Sequence, residues 1–151
     1  MSNAIYIDGP IKVISRNHIN DLKKKAIESN NGRYRYCLHN SINDNVQNMI
    51  IAITSDTQLL PQRRIGSDKC FSILEGELRI AIFSEEGQVL KVVNLTTEDN
   101  QSLWISDKYY TLTLPISAVA VYQEVITGRF NNHNDHPSWD VDDHLLQSLT
   151  S

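Results

Sequence analysis

Between Asn48 and Ile126 the chain breaks into short β-prone runs, each closed by a turn signal, and this restricts the fold more than any other feature. The runs are Asn48 to Thr54, Cys70 to Phe83 (interrupted at Glu75-Gly76-Glu77), Gln88 to Leu95, Ser102 to Ile105, Tyr109 to Leu114 and Ala118 to Ile126. Ser84-Glu85-Glu86-Gly87, Thr96 to Asn100, Ser106-Asp107-Lys108 and Pro115-Ile116-Ser117 punctuate them. Strands this short, spaced this evenly and without intervening helices belong to a mainly β sandwich or barrel.

Upstream, Ile11 to Ile14 reads as a short strand or extended segment. Ile19, Leu22, Ala26 and Ile27 then recur at helical spacing, with Asn17 as the expected cap and Gly32 as the stop. Met1 to Ala4 contribute nothing to the reading. The expected organisation is an extended segment and helix over 1–32, a barrel over 33–130, and a polar tail over 131–151 belonging to the same domain, with a short helix from Val141 to Leu149. A chain of 151 residues suits one domain with a real core. The net charge of −4 gives no basic face for nucleic acid, and Lys23-Lys24-Lys25 reads as the solvated side of the helix. No run resembles a membrane span or signal peptide. Cys37 and Cys70 are too few for a disulfide framework, so the expectation is a reduced, cytoplasmic protein.

Five segments carry a resemblance: Arg35-Tyr36-Cys37-Leu38-His39, Asn45 to Ala52, Pro61 to Gly76, Glu124 to Phe130, and Ser138-Trp139. Together they resemble the WbuC-type cupin-fold proteins, over roughly residues 11 to 143. The resemblance implies a cupin-type double-stranded β-helix (jelly-roll) barrel with an N-terminal helix, a homodimer, and a link to O-antigen and surface-polysaccharide biosynthesis. It also implies a metal site, from a motif reading H-x-H, three or four residues, E, six residues, G. Gly76 occupies the motif's glycine, which puts Gln62 and Arg64 at the histidines and Lys69 at the glutamate. The second motif, P-x-G-x-x-H, falls on Ile105 to Tyr110 and puts Tyr110 at the last histidine. All four ligand positions are replaced.

Divalent first-row metals take imidazole, thiolate or carboxylate ligands. Gln62 and neutral Tyr110 are weak donors, and Arg64 and Lys69 are cations that repel the ion. A site of three histidines, one carboxylate and a divalent ion carries one net positive charge; ionised Arg64 and Lys69 carry two with no ion present. The expectation is therefore no metal and no cofactor. If Arg64 and Lys69 point inward they need a partner. Three outcomes stay open: pairing with Glu124 or Glu75, snorkelling outward, or holding an anionic ligand, with Arg64 as a bidentate donor.

The leading function is a metal-free, non-catalytic cupin that binds a small anionic or sugar-type ligand, with Gln62, Arg64, Lys69, Tyr110, His39 and Glu124 as candidate contacts. The alternatives are a metal-independent nucleotide-sugar isomerase or epimerase, with Tyr110 and His39 as proton-transfer groups, and a structural dimeric protein. His39 reads more readily as a hydrogen-bonded residue near the barrel mouth. Cys70 reads as a small buried hydrophobe, and His133 and His136 as an exposed loop rather than a metal site. Trp104, Tyr109 and Phe71 are expected to pack in or line the barrel.

Overall fold

In the computed structural model, residues 3–127 and 134–151 are described. The strands are β1 (Ala4–Tyr6), β2 (Arg33–Cys37), β3 (Val46–Thr54), β4 (Arg63–Arg64), β5 (Lys69–Glu75), β6 (Leu78–Phe83), β7 (Val89–Leu95), β8 (Ser102–Ile105), β9 (Tyr110–Pro115), β10 (Val119–Thr127) and β11 (Asn134–Asp135). Helix α1 spans Arg16–Glu28 and α2 spans Asp143–Thr150. One sheet runs β1-β2-β3-β10-β5-β8 and a second runs β7-β6-β9, while β4 and β11 form a two-stranded ribbon. Every pairing is antiparallel except β1 with β2.

The barrel follows from period-two alternation, since successive strand residues point to opposite faces. Inward residues of the large sheet (Ile51, Ile53, Phe71, Ile73, Ala120, Tyr122) meet Leu78, Ile80 and Ile82 of the small sheet in one core. Outward residues Tyr36, Ile50, Ala52 and Val121 take the apolar stripe of α1, made by Ile19, Leu22 and Ala26. On the outside of the small sheet, Ala81, Phe83, Tyr110, Leu112 and Leu114 are covered by Trp139, Val141, Leu145 and Leu149 of the C-terminal segment. The central strands of each sheet are thus buried on both faces, which accounts for the dense apolar content of β3 and β6.

Several local expectations change. Ser15, not Asn17, caps α1: its Oγ accepts from the His18 N–H at 3.3 Å, and His18 Nδ1 accepts from the Ser15 N–H at 3.0 Å. Asn17 lies in the first turn, and Ile27 is exposed. Ile11 to Ile14 forms no strand; the extended N-terminal element is β1, in the segment that carried no readable pattern. Trp104 and Tyr109 point to the surface and only Phe71 is internal. Cys37 is the buried thiol, whereas Cys70 is half-exposed beside the Ser102 hydroxyl at 3.5 Å. Its strand position explains this: Lys69, Phe71 and Ile73 take the inner face of β5, leaving Cys70 outside.

Gly76 turns the chain from β5 into β6 with φ of +81°, and a Cβ there would lie 2.5 Å from both Ser117 Oγ and Val119 O. Gly66 has a similar φ of +86° but faces open space. We therefore expect Gly66→Ala to cost about 1–2 kcal/mol, the left-handed penalty alone. Gly76→Ala should cost about 2–4 kcal/mol because steric overlap is added. Urea unfolding of the two variants measures the difference, and equal losses would contradict the close approach at Gly76.

Candidate functional site

One end of the barrel interior is polar. The inward positions of β2 are Arg33, Arg35 and Cys37, and the same face continues to His39; Tyr34, Tyr36 and Leu38 alternate outward towards α1. Arg35 sits opposite Ile51, and Cys37 opposite Met49. On β10, Glu124 lies between Met49 of β3 and Phe71 of β5. Lys69 opens β5 opposite Ile126, and Gln62 and Arg64 enter from the ribbon. These side chains enclose a cavity of about 200 Å³, with Tyr6 and Ile42 at its exposed rim.

Arg64 owes its inward position to its neighbour. In a two-residue strand, adjacent side chains point to opposite faces, and Arg63 is fastened outside. Its Nε donates to Asp135 Oδ2 at 2.8 Å, its Nη1 to the Lys108 carbonyl at 3.2 Å and its Nη2 to Glu85 Oε1 at 3.3 Å. The guanidinium also lies 4.3 Å from the centroid of the Tyr110 ring. Tyr110 Oη donates to the same Asp135 oxygen at 3.0 Å, and its ring meets Trp139 edge-on at 5.5 Å. The Arg63 guanidinium, with help from Tyr110, holds the Asp135 carboxyl below its usual range.

The structure thus brings five of the six candidate contacts, Gln62, Arg64, Lys69, His39 and Glu124, to one cavity and leaves Tyr110 out. Tyr110 shares its face of β9 with Leu112 and Leu114, against the C-terminal segment. The inward residue is Thr111, paired across an isolated bridge with Gln62. Counting the second motif from the turn places the last ligand one residue early, and one residue reverses the face of a strand. Tyr110 and His39 therefore do not form an acid–base pair. Glu75, the other candidate carboxylate, lies outside with Lys23 at 2.9 Å and Arg16 at 3.3 Å, tying α1 to β5. His136 Nδ1 lies 3.1 Å from the Pro61 carbonyl, and His133 falls outside the described residues. Sequence reasoning missed Arg33 and Arg35; the signal was the alternation Arg33-Tyr34-Arg35-Tyr36-Cys37-Leu38-His39, polar or small inward and bulky outward.

Among the described residues, the cavity sets four cations, Arg33, Arg35, Arg64 and Lys69, against one carboxylate, Glu124. Arg64 is 4% exposed, Lys69 5% and Glu124 8%, so neither cation has snorkelled out. Burial is the main influence on both: it favours the neutral form and lowers both affinities for the proton. Glu124 opposes this, while Arg35 adds to it at Arg64, and Arg64 and Arg33 add to it at Lys69. Arg35 Nε is buried with no hydrogen bond among the described residues. A divalent ion does not fit this donor set, in which the expected ligand positions carry an amide, two cations and a threonine hydroxyl. Among the described residues no three His, Cys, Asp or Glu side chains gather as a metal site elsewhere.

His39 is buried, and its Nδ1 accepts from the Asn48 N–H at 3.0 Å, which leaves the ring proton on Nε2. The ring meets Tyr6 edge-on at 5.5 Å. Burial lowers its proton affinity below the usual 6.5, with Arg35 and Lys12 adding to that effect while the Asn48 backbone contact and Asp44 oppose it.

Two outcomes follow from these charges. The unfolded chain protonates His39 near pH 6.5 and the folded chain at lower pH, so its stabilising contribution is complete above pH 6.5 and declines as pH falls below it. Urea midpoints between pH 7.5 and 5 should fall more steeply in the native protein than in His39→Gln. Lys69→Met should raise stability by about 1 kcal/mol, roughly 3 °C in thermal melts, because it removes a buried cation from a cationic cluster.

Solved structures resembling the barrel include a protein of Shewanella oneidensis, with 10% identity, 87% of this chain and 89% of that one covered, and a TM-score of 0.59. An RmlC-like cupin family protein with a double-stranded β-helix fold from Methanocaldococcus jannaschii has 14% identity, covers 70% and 88%, and gives a TM-score of 0.50. Procruciferin, an 11S globulin of Brassica napus, has 15% identity over 64% of this chain, with a TM-score of 0.53, and the chain spans only 25% of its length. At these identities the likeness establishes the fold alone: a cupin double-stranded β-helix. No curated protein matches the sequence. Residues 14–95, from the start of α1 to the end of β7 and including every cation of the cavity, match the family model described as domain of unknown function DUF6016, and the chain belongs to that family.

Proposed function

We propose that the protein is a cupin that binds a small organic or inorganic anion inside the barrel, with fixed protein cations standing where relatives of this fold hold a metal. The observation that carries this reading is the cluster of Arg33, Arg35, Arg64 and Lys69 around Glu124, the single carboxylate in the cavity among the described residues. Guanidinium groups pair with carboxylate or phosphate through parallel N–H donors. The buried Arg35 Nε, which has no hydrogen bond among the described residues, is one donor that such an anion would satisfy. Volume supports a small occupant: about 200 Å³ falls below the roughly 300–1,000 Å³ of pockets for drug-sized ligands. The same argument weighs against a whole nucleotide sugar. The resemblance to WbuC-type proteins supports a role in surface-polysaccharide biosynthesis, with a sugar-derived acid as an anion of fitting size, and a homodimeric assembly.

Thermal-shift titration with malonate, phosphate and uncharged glycerol tests the binding. Malonate or phosphate should stabilise the protein, by about 2.7 kcal/mol at one hundred times its Kd, and glycerol at equal concentration should not. Arg35→Ala should weaken the anion about 10- to 100-fold, the worth of a hydrogen bond to a charged group. Absence of a shift with both anions, or an equal shift in the variant, would refute the assignment.

A further inference from the structure

The anion-binding reading explains the three arginines but not the lysine. Lys69 is walled on both sides by apolar residues, facing Ile126 across β10 and Ile105 across β8. Among the described residues its ammonium makes no hydrogen bond and no ion pair at contact distance. By contrast, Lys12 donates to the Leu38 carbonyl at 2.6 Å, and Lys23 and Lys25 pair with Glu75 and Asp21 at the surface. Among the described residues the charged groups acting on Lys69 are Glu124, Arg64 and Arg33, two cations against one anion. Arginine cannot shed its proton in a protein, whereas a buried lysine does so readily. Excess positive charge in this cavity is therefore relieved at Lys69, the group whose neutral form is a nucleophile. Burial lowers its proton affinity in the same sense.

Building on the anion-binding reading, we infer that Lys69 is a reactive amine that forms an imine with a short oxo acid whose carboxylate is held by the cavity arginines. The Nζ lone pair of the neutral amine attacks the carbonyl carbon to form the C–N bond while one Nζ proton passes to the carbonyl oxygen, giving a carbinolamine. The second Nζ proton then passes to that hydroxyl as the C–O bond breaks and water leaves, so that C=N replaces C=O with no change of oxidation state. Glu124, buried in the same cavity, is the group placed to relay the protons. A cavity of about 200 Å³ holds roughly seven water-sized groups at about 30 Å³ each, which suits an acid of pyruvate or acetoacetate size.

The test is reductive trapping with pyruvate and cyanoborohydride, read by intact mass and peptide mapping, with lactate as the anion that lacks the carbonyl. A single reduced pyruvyl group should appear on Lys69 at least about tenfold faster than on surface lysines, because a larger share of its amine is neutral and the cavity arginines hold the acid beside it. Lys69→Arg, which keeps the cation, should still be stabilised by lactate and should give no fast adduct; Lys69→Met should give none either. Label spread evenly over the lysines, or fast labelling that persists in both variants, overturns the inference. If lactate stabilises the protein but no adduct forms on Lys69, the imine is wrong and anion binding stands; if neither occurs, both fall.

Discussion

Glu124 is the carboxylate on which the interior of this barrel depends. Among the described residues four cations share its cavity, and an ion removed from water costs several kcal/mol unless its neighbours replace the lost hydration. Continuous pairing on both edges of β10 fixes where it sits, with Gln123, Glu124 and Val125 matched to β3 on one side and β5 on the other. The bulge at Val121 and Tyr122 lies above this stretch and leaves the Glu124 register intact. A slip of one residue would send the carboxylate outward towards α1 and leave the cations facing one another.

The outer surface of the barrel serves the same end. Arg63 is tied down by Asp135, Glu85, the Lys108 carbonyl and the Tyr110 ring, and this clasp commits Arg64 to the interior. The burial cost of Arg64 is thus offset by contacts made on the other side of the wall. Tyr110 belongs to this external clasp, and the C-terminal segment that covers it through Trp139 helps hold the site although none of its described residues lines the cavity.

Strands β3 and β5 to β10 were legible in the sequence because turn residues separate β-prone runs, and Gly76 was legible because its positive φ admits few other residues. Gln62, Arg64 and Lys69 could be placed because they sit at fixed distances from that glycine on continuous chain. Tyr110 could not, because its placement depended on counting across Ser106-Asp107-Lys108, where one residue of turn geometry decides which face of β9 a side chain takes. Arg33 and Arg35 were hidden for a different reason. An Arg-Tyr alternation reads equally well as a solvated edge strand, and only its pairing with β3, with α1 packed over the tyrosines, turns the arginines inward.

This arrangement changes what the barrel can do with an anion. A divalent metal is one concentrated charge that leaves when its ligands are protonated or a chelator competes, whereas the arginines are permanent charges spread along β2 and the ribbon. Charge that is spread and fixed favours an extended anion with more than one acceptor oxygen, because each guanidinium presents a planar fork. The cluster also lacks something a metal site would have, a Lewis acid to polarise a carbonyl. Lys69 occupies the wall position where an amine can do comparable work by covalent means: an iminium draws electrons from the adjacent carbon as a metal-bound carbonyl would. A lysine in this wall thus offers a route to electrophilic activation of a carbonyl that needs no metal ion.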